Sequence, residues 1–317
     1  MSKRLKQTLL PLIAAMIWGT AFAAQDVCAD RVSAMTFNAL RFFVAVVFLL
    51  TVGAIMRAVR RKKAKAAGVP YEKSPEERRS YRKRLLIAAL LCGTVLAAAS
   101  VLQQAGLEYG TDSGKAGFIT ALYVVLVPLG GLLLKKRVAP IFWLAVALAV
   151  AGLYLLCLNG SFRLAFGDLL TLLCAVAFTV QILLIDRFSP GLDSVDLVAA
   201  QFAVAGVWSA IGMLIFEEPV AADIAAVALP LLYVAIFSSG VAYLLQAVAQ
   251  RDGNPAVVSL LFSLEAVFAA LAGAILLHQR MTAREYVGCA LLFAAVLVSQ
   301  IPEKKPPARE CKESSEE

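Results

Sequence analysis

Ten apolar blocks, each long enough to cross a lipid bilayer as a helix, constrain this 317-residue chain more than any other feature. A helix crosses the hydrocarbon core in about 20 residues and satisfies its backbone hydrogen bonds internally, as lipid requires. Barrel strands would instead alternate polar and apolar residues. We therefore predict an all-α integral membrane protein with ten transmembrane helices, numbered as blocks 1 to 10: Leu9–Val27, Ala34–Arg57, Leu85–Leu107, Ser113–Leu134, Val138–Leu158, Gly167–Ile185, Ser194–Phe216, Ile224–Ala249, Pro255–Leu277 and Thr282–Ile301.

The charged residues indicate how the chain lies in the membrane. Only 16% of the residues are charged and 61% are hydrophobic, and the formal net charge is +8. Of the 30 Lys and Arg residues, 24 fall at the termini and in the connections after even-numbered blocks, and five fall on the other side. Because basic residues mark the cytoplasmic side, we expect a multi-pass protein of the plasma (inner) membrane with both termini cytoplasmic, and no nucleic-acid partner.

An internal repeat divides the chain. The stretch AFAAQDVCADR (residues 21–31) matches AFTVQILLIDR (177–187) at an offset of 156, and blocks 4 and 9 match at an offset of 142. We predict a first five-helix repeat over residues 1–160 with a basic cytoplasmic loop at 58–84, a second repeat over 161–302, and a disordered cytoplasmic tail over 303–317. Since five is odd, the second repeat is inverted, an architecture that secondary transporters use for alternating access.

One carboxylate, Glu265, lies in the middle of block 9 within the stretch FSLEAVFAALAGAILL. A charge at that depth costs at least a few kcal/mol, so it should face the interior of the bundle or a water-filled cavity. Its repeat counterpart is Tyr123, and the symmetry axis should bring the two together. Glu265 could bind a substrate amine, a coupling proton, or both; the alternative is a hydrogen-bonded tie between helices.

Five further polar or aromatic residues are candidates for substrate binding. Asn38 and Arg41 share one face of block 2, and Arg41 could clamp a carboxylate, reach the outer surface, or pair with a nearby aspartate. Gln181 and Gln246, each with a repeat mate, could line a cavity or bond between helices. Trp18 lies within block 1 rather than at the interface where tryptophan usually lies.

Several classes of site have no support in the sequence. The chain has no phosphate-binding Walker motif, no hydrolase motif and no paired cysteines with metal-ligand spacing, and its one histidine is His278. We expect no enzyme activity, no cofactor and no metal.

The motifs IWGTAF in block 1, GKAGFITALYVVLVPLGGLLLKKRV across block 4 and SLEAVFAALAGAILL in block 9, with an arginine in block 2, resemble the EamA-type permeases of the drug/metabolite transporter superfamily. The resemblance implies ten helices in two inverted halves, cytoplasmic termini, and transport of amino acids, nucleobases, sugars or other small metabolites. It maps the family's glutamate in helix 9 onto Glu265. Two positions depart from the family pattern, since Ala266 replaces the usual proline and His278-Gln279 replaces a Gly-Glu pair.

Together these observations predict a secondary transporter of small polar metabolites, with amino acids or related amphoteric compounds as the leading class and export as the expected direction. Proton antiport and simple facilitation both stay open. The alternative function is a non-transporting membrane scaffold or receptor that uses the basic 58–84 segment to bind a partner.

Overall fold

The computed structural model describes residues 3–68, 74–111, 113–135, 138–157, 165–276, 281–299 and 301. This part of the chain is built from helices, with one π-helical segment, Val234–Ala242, between α10 and α11. The α-helices are α1 Lys3–Ala29, α2 Ala34–Ala66, α3 Pro75–Glu108, α4 Ser113–Thr120, α5 Tyr123–Leu133, α6 Pro140–Cys157, α7 Phe166–Phe188, α8 Ser194–Phe216, α9 Ala221–Ala226, α10 Ala228–Tyr233, α11 Tyr243–Asp252, α12 Pro255–Phe262, α13 Glu265–Leu276 and α14 Ala283–Ser299.

The predicted fold class is confirmed. Within the described residues, eight helical stretches are long and apolar enough to cross a membrane, and the shorter apolar helix Pro140–Leu156 matches block 5. The helix α14 occupies block 10. The molecule is a multi-pass, all-α membrane protein with the ten spans that the hydrophobic pattern predicts.

The segment predicted as a long basic loop is largely helical. Block 2 was expected to end at Arg57, but α2 continues to Ala66. The helix α3 begins at Pro75, ten residues before block 3, and Ser74 and Glu77 form a capping box at its start. An apolar block marks only the part of a helix that lies within the hydrocarbon core of the membrane. It does not reveal polar helical turns that continue outside the core. The predicted tail 303–317 lies outside the described residues.

Blocks 4 and 9 are both broken near their centres. The offset of 142 residues that relates the two blocks carries Ser113 to Pro255 and Thr120 to Phe262, so α4 and α12 begin and end at equivalent positions. At each break the backbone tightens. The N–H of Leu122 bonds to the carbonyl of Ile119, and the N–H of Leu264 bonds to that of Leu261, three residues back instead of four. Block 9 is broken although residue 266 is alanine and not the proline that is usual in the family pattern.

The two halves pack against each other through helix pairs that repeat the same symmetry. The helix α1 packs on α13, and α7 packs on α5, so block 1 meets block 9 as block 6 meets block 4. The helices α6 and α14 cross at Gly152 and Gly288, where a Cβ on either glycine would lie less than 3 Å from the other's carbonyl oxygen. Small residues at such crossings let membrane helices approach closely.

Polar contacts tie the connections together at two opposite ends. At one end, which we call the basic end, Arg57 of α2 pairs with Asp196 of α8 at 3.1 Å. At the other end Lys115 pairs with the buried Asp168 at 2.5 Å, and the backbone N–H of Thr36 donates to Glu217 at 2.7 Å. Each of these three contacts joins a residue of the first half to a residue of the second half.

Candidate functional site

A small cavity of about 50 Å³ lies between the two halves. Its lining comes from the broken blocks 4 and 9, from α1, α2, α3, α7 and α11, and from the π-helical segment. The lining residues are Trp18, Phe22, Gln25, Arg41, Gln103, Thr120, Tyr123, Phe178, Gln181, Ile182, Ser238, Tyr243, Gln246, Phe262 and Glu265.

Glu265 and Tyr123 meet in this cavity. The phenol of Tyr123 donates to Oε1 of Glu265 at 3.0 Å, and the glutamate residue is 4% exposed. Each residue is the first of the helix that follows its break, and the two are 142 positions apart. A carboxylate at a helix N-terminus lies near the positive end of the helix dipole. The broken helices therefore place one acid and one phenol at equivalent points on the two sides of the cavity.

Arg41 supplies a buried positive charge to the same cavity. It is 3% exposed, and its Nη1 donates to Oε1 of Gln25 at 3.0 Å. The guanidinium also lies 4.8 Å from the ring centre of Phe42 and 5.2 Å from that of Phe37. It therefore does not extend to the outer surface, which was one of the expected alternatives. Within the described residues its Nε atom has no hydrogen-bond partner.

A run of glutamines continues the polar lining. Nε2 of Gln246 donates to Oε1 of Gln181 at 3.2 Å, and Nε2 of Gln181 faces Oε1 of Gln201 at 3.4 Å. Gln25, the repeat mate of Gln181, accepts at its backbone carbonyl from Gln104 at 3.0 Å. The glutamines thus both line the cavity and bond between helices, so the two alternatives for them are compatible. In the described chain Oε1 of Gln246 has no partner.

Aromatic rings form the remaining wall. The ring centre of Trp18 lies 5.2 Å from that of Tyr243 and 4.9 Å from that of Phe262, both in edge-to-face arrangements. The indole N–H donates to the carbonyl oxygen of Ser238 at 3.3 Å. That carbonyl belongs to the π-helical segment, and π-helical turns are frequent at functional sites.

The structure brings together six of the seven residues that the sequence suggested for substrate binding: Trp18, Arg41, Tyr123, Gln181, Gln246 and Glu265. Asn38 is the exception. Its amide donates to the carbonyls of Ala34 at 2.7 Å and Ser100 at 3.2 Å, so it joins α2 to α3 and does not line the cavity. Asn38 and Arg41 lie about one turn apart on α2 and both are buried, but only the arginine faces the cavity.

Nine lining residues were not among the predicted candidates: Phe22, Gln25, Gln103, Thr120, Phe178, Ile182, Ser238, Tyr243 and Phe262. Tyr243 carried only a weak signal, because Tyr233 lies nearer the middle of the same apolar block and does not line the cavity. The carbonyl of Ser238 carried none, since every residue has a carbonyl and only the π-helical turn exposes this one. In the described parts of the chain no cluster of His, Cys, Asp or Glu has metal-binding geometry, and His278 lies outside them.

Comparisons with known proteins agree with this architecture. The sequence model of the EamA-like transporter family matches residues 5–158 and again residues 165–300. A protein of Archaeoglobus fulgidus described as an uncharacterized transporter is 30% identical over 304 residues, which is 93% of this chain and 86% of the relative. A solved crystal structure shares the fold at a TM-score of 0.70, with 19% identity, over 93% of this chain and 96% of that one. The chain therefore belongs to the EamA-like transporter family.

Proposed function

We propose that this transporter carries small polar metabolites out of the cell by alternating access, with amino acids and related amphoteric compounds as the leading substrate class. The observation that carries the proposal is the pairing of Glu265 with Tyr123 in a buried cavity that Arg41 also lines. A carboxyl group and a guanidinium cation that line one cavity suit a substrate that bears both an amine and a carboxylate.

The buried polar atoms support a polar ligand rather than an apolar one. Buried donors and acceptors in proteins are nearly always paired, yet Nε of Arg41 and Oε1 of Gln246 have no partner in the described chain. A substrate carboxylate would accept from Arg41, and a substrate amine would donate to Gln246 or Glu265. The rings of Trp18, Tyr243 and Phe262 would cover the aliphatic part of the substrate.

The size of the cavity indicates a closed conformation. A cavity of about 50 Å³ has room for a few water molecules, and it is smaller than the roughly 150 Å³ that holds a benzene ring. A metabolite therefore needs the cavity to widen. The breaks at Ala121–Leu122 and Ser263–Leu264 are repeat-related hinges, and discontinuous helices at the repeat interface are where transporters bind their substrates.

Two coupling schemes follow from Glu265. If a proton and the substrate amine compete for its carboxylate, a proton entering from outside would drive substrate outward. If only the substrate binds there, the protein is a facilitator. The position of the basic residues supports cytoplasmic termini and a plasma-membrane location.

The test is counterflow in proteoliposomes that contain the purified protein and a mixture of labelled amino acids. We expect Glu265→Gln to lower the rate at least about tenfold, because a hydrogen bond to a charged group contributes about 1.5–3 kcal/mol. The matched control is Glu285→Gln, which makes the same chemical change in the capping box of α14, away from the cavity. Equal rates for Glu265→Gln and the wild type would refute the proposed role of Glu265.

The same vesicles separate the remaining alternatives. An imposed pH gradient that drives accumulation supports proton antiport, whereas counterflow without such accumulation supports facilitation. Absence of flux for every labelled amino acid would contradict the proposed substrate class. If nucleobases and sugars were also not transported, the scaffold or receptor alternative would be favoured.

A further inference from the structure

A second, larger cleft opens at the basic end of the molecule, and none of its described lining residues also lines the cavity of Glu265. The cleft has a volume of about 650 Å³, and six arginines of the described chain line it. We call it the arginine cleft. Its basic lining residues are Arg57, Arg60, Arg61, Arg78, Arg82 and Arg251.

The arginine cleft is assembled from both halves of the fold. The end of α2 and the start of α3 supply five of the arginines, and the end of α11 supplies Arg251. Its apolar floor includes Gly53, Leu192 and Val195, all of which are buried. Arg57 stands where the apolar part of α2 ends, so the arginines lie at the depth where a membrane changes from hydrocarbon to headgroups.

Arginines outnumber carboxylates among the described residues that line the arginine cleft. These residues include six arginines and two aspartates, so their formal charges sum to +4. Asp196 pairs with Arg57 at 3.1 Å and Asp193 pairs with Arg60 at 2.6 Å. Arg82 of α3 and Arg251 of α11 have no hydrogen-bond or ion-pair partner in the described chain.

The presence of arginine rather than lysine in the cleft indicates the chemical class of its ligand. Lysines are present close by, at positions 62, 63, 65 and 83, but none of them lines the cleft. Orientation in the membrane depends on Lys and Arg alike, so it does not explain why every described basic residue of the lining is an arginine. Guanidinium groups bind phosphate oxygens through two parallel hydrogen bonds, and arginine is the usual residue where phosphate is recognised.

We propose that the arginine cleft binds a phosphate-bearing anion, which is either the headgroup of an anionic phospholipid or a free phosphate compound. Basic pockets between membrane helices on the cytoplasmic side bind anionic headgroups in this way. A volume of about 650 Å³ is within the range of small-molecule sites, roughly 300–1,000 Å³. The site is independent of the transported substrate.

Binding by the purified, delipidated full-length protein tests the proposal in two arms. In the first, sodium pyrophosphate is titrated at constant ionic strength and the thermal unfolding midpoint is recorded, since a ligand of the folded state raises it. In the second, native mass spectrometry counts phosphatidylglycerol and phosphatidylcholine retained from mixed micelles. The test variant is Arg82→Gln/Arg251→Gln, and the matched control is Arg79→Gln/Lys83→Gln, which removes the same charge from exposed positions outside the cleft.

We expect the test variant to bind at least about tenfold more weakly than both the wild type and the control, because each guanidinium contributes charge-assisted bonds. A response to pyrophosphate identifies a free phosphate compound, and retention of phosphatidylglycerol over phosphatidylcholine identifies a headgroup. A wild type that responds to neither probe overturns the proposal. So does an equal loss in the test variant and the control, which would show that overall charge, not the cleft, attracts the anion.

Discussion

Replacing Gly19 by alanine should weaken the contact between α1 and α13 beside the cavity. A Cβ at this position would overlap the carbonyl oxygen of Glu265, and it would lie 2.8 Å from both the backbone nitrogen of Ala269 and the Cβ of Phe268. Ordinary contacts of a Cβ atom begin near 3.4 Å. All three neighbours are backbone or Cβ atoms, so no side-chain rotation can relieve the overlap, and the helices must move apart.

The magnitude follows from two opposing terms. Alanine in place of glycine inside a helix stabilises it by about 1 kcal/mol. Overpacking a close contact costs about 1–3 kcal/mol. For Gly19→Ala we therefore expect a net loss of up to about 2 kcal/mol in the free energy of unfolding.

Gly117 provides the matched control, because it is also a buried glycine in a membrane helix, and a Cβ there would meet no atom within 4 Å. Gly117→Ala should gain the higher helix propensity of alanine without any steric overlap. Its free energy of unfolding should therefore equal that of the wild type or exceed it by up to about 1 kcal/mol. The assay is reversible unfolding in mixed detergent micelles. Equal stability of the two variants would show that α1 and α13 are not in the contact described here.

Two further predictions concern charges at opposite ends of the fold. Partial burial raises the pKa of Asp193, but the hydrogen bond and charge of Arg60 outweigh it and hold that pKa below its usual 3.8. A lowered pKa in the folded state stabilises the fold above pH 3.8 and ceases to do so as the pH falls through the folded value. Asp193→Asn, which keeps a helix-capping side chain, should therefore cost up to about 1 kcal/mol at pH 7. Thermal unfolding should show this difference shrinking as the pH falls below 3.8 and vanishing once it passes the folded-state pKa. A difference that does not shrink as the pH falls would contradict the ion pair as its cause. Lys115→Gln should lower the free energy of unfolding by about 3 kcal/mol or more, because it leaves Asp168, whose side chain is 1% exposed, without its cation. The control is Arg57→Gln, since the side chain of Asp196 is 30% exposed and an exposed ion pair contributes about 1 kcal/mol at most. If denaturant unfolding showed equal losses of stability in the two variants, the role of burial would be refuted.

Much of the architecture could be predicted because it depends on order along the chain. Hydrophobicity is a property of each residue, so blocks of about 20 apolar residues predict spans without any contact being known. The inverted repeat could be read in the same way, since matching residues at a constant offset and an odd number of spans define it. The offset of 142 residues paired Tyr123 with Glu265, and the structure places their oxygen atoms 3.0 Å apart.

The sequence by itself thus determined the spans, the repeat and the residues that the repeat relates, because each of these is a one-dimensional pattern. The tertiary structure alone decided which way side chains point, so that Arg41 faces the cavity and Asn38, one turn away, faces α3. It also decided where blocks 4 and 9 break, since a broken membrane helix is tolerated only where neighbouring groups shield and satisfy its backbone. The arginine cleft was equally inaccessible to sequence reasoning, because folding alone brings Arg82 and Arg251 to one cleft from positions far apart in the chain.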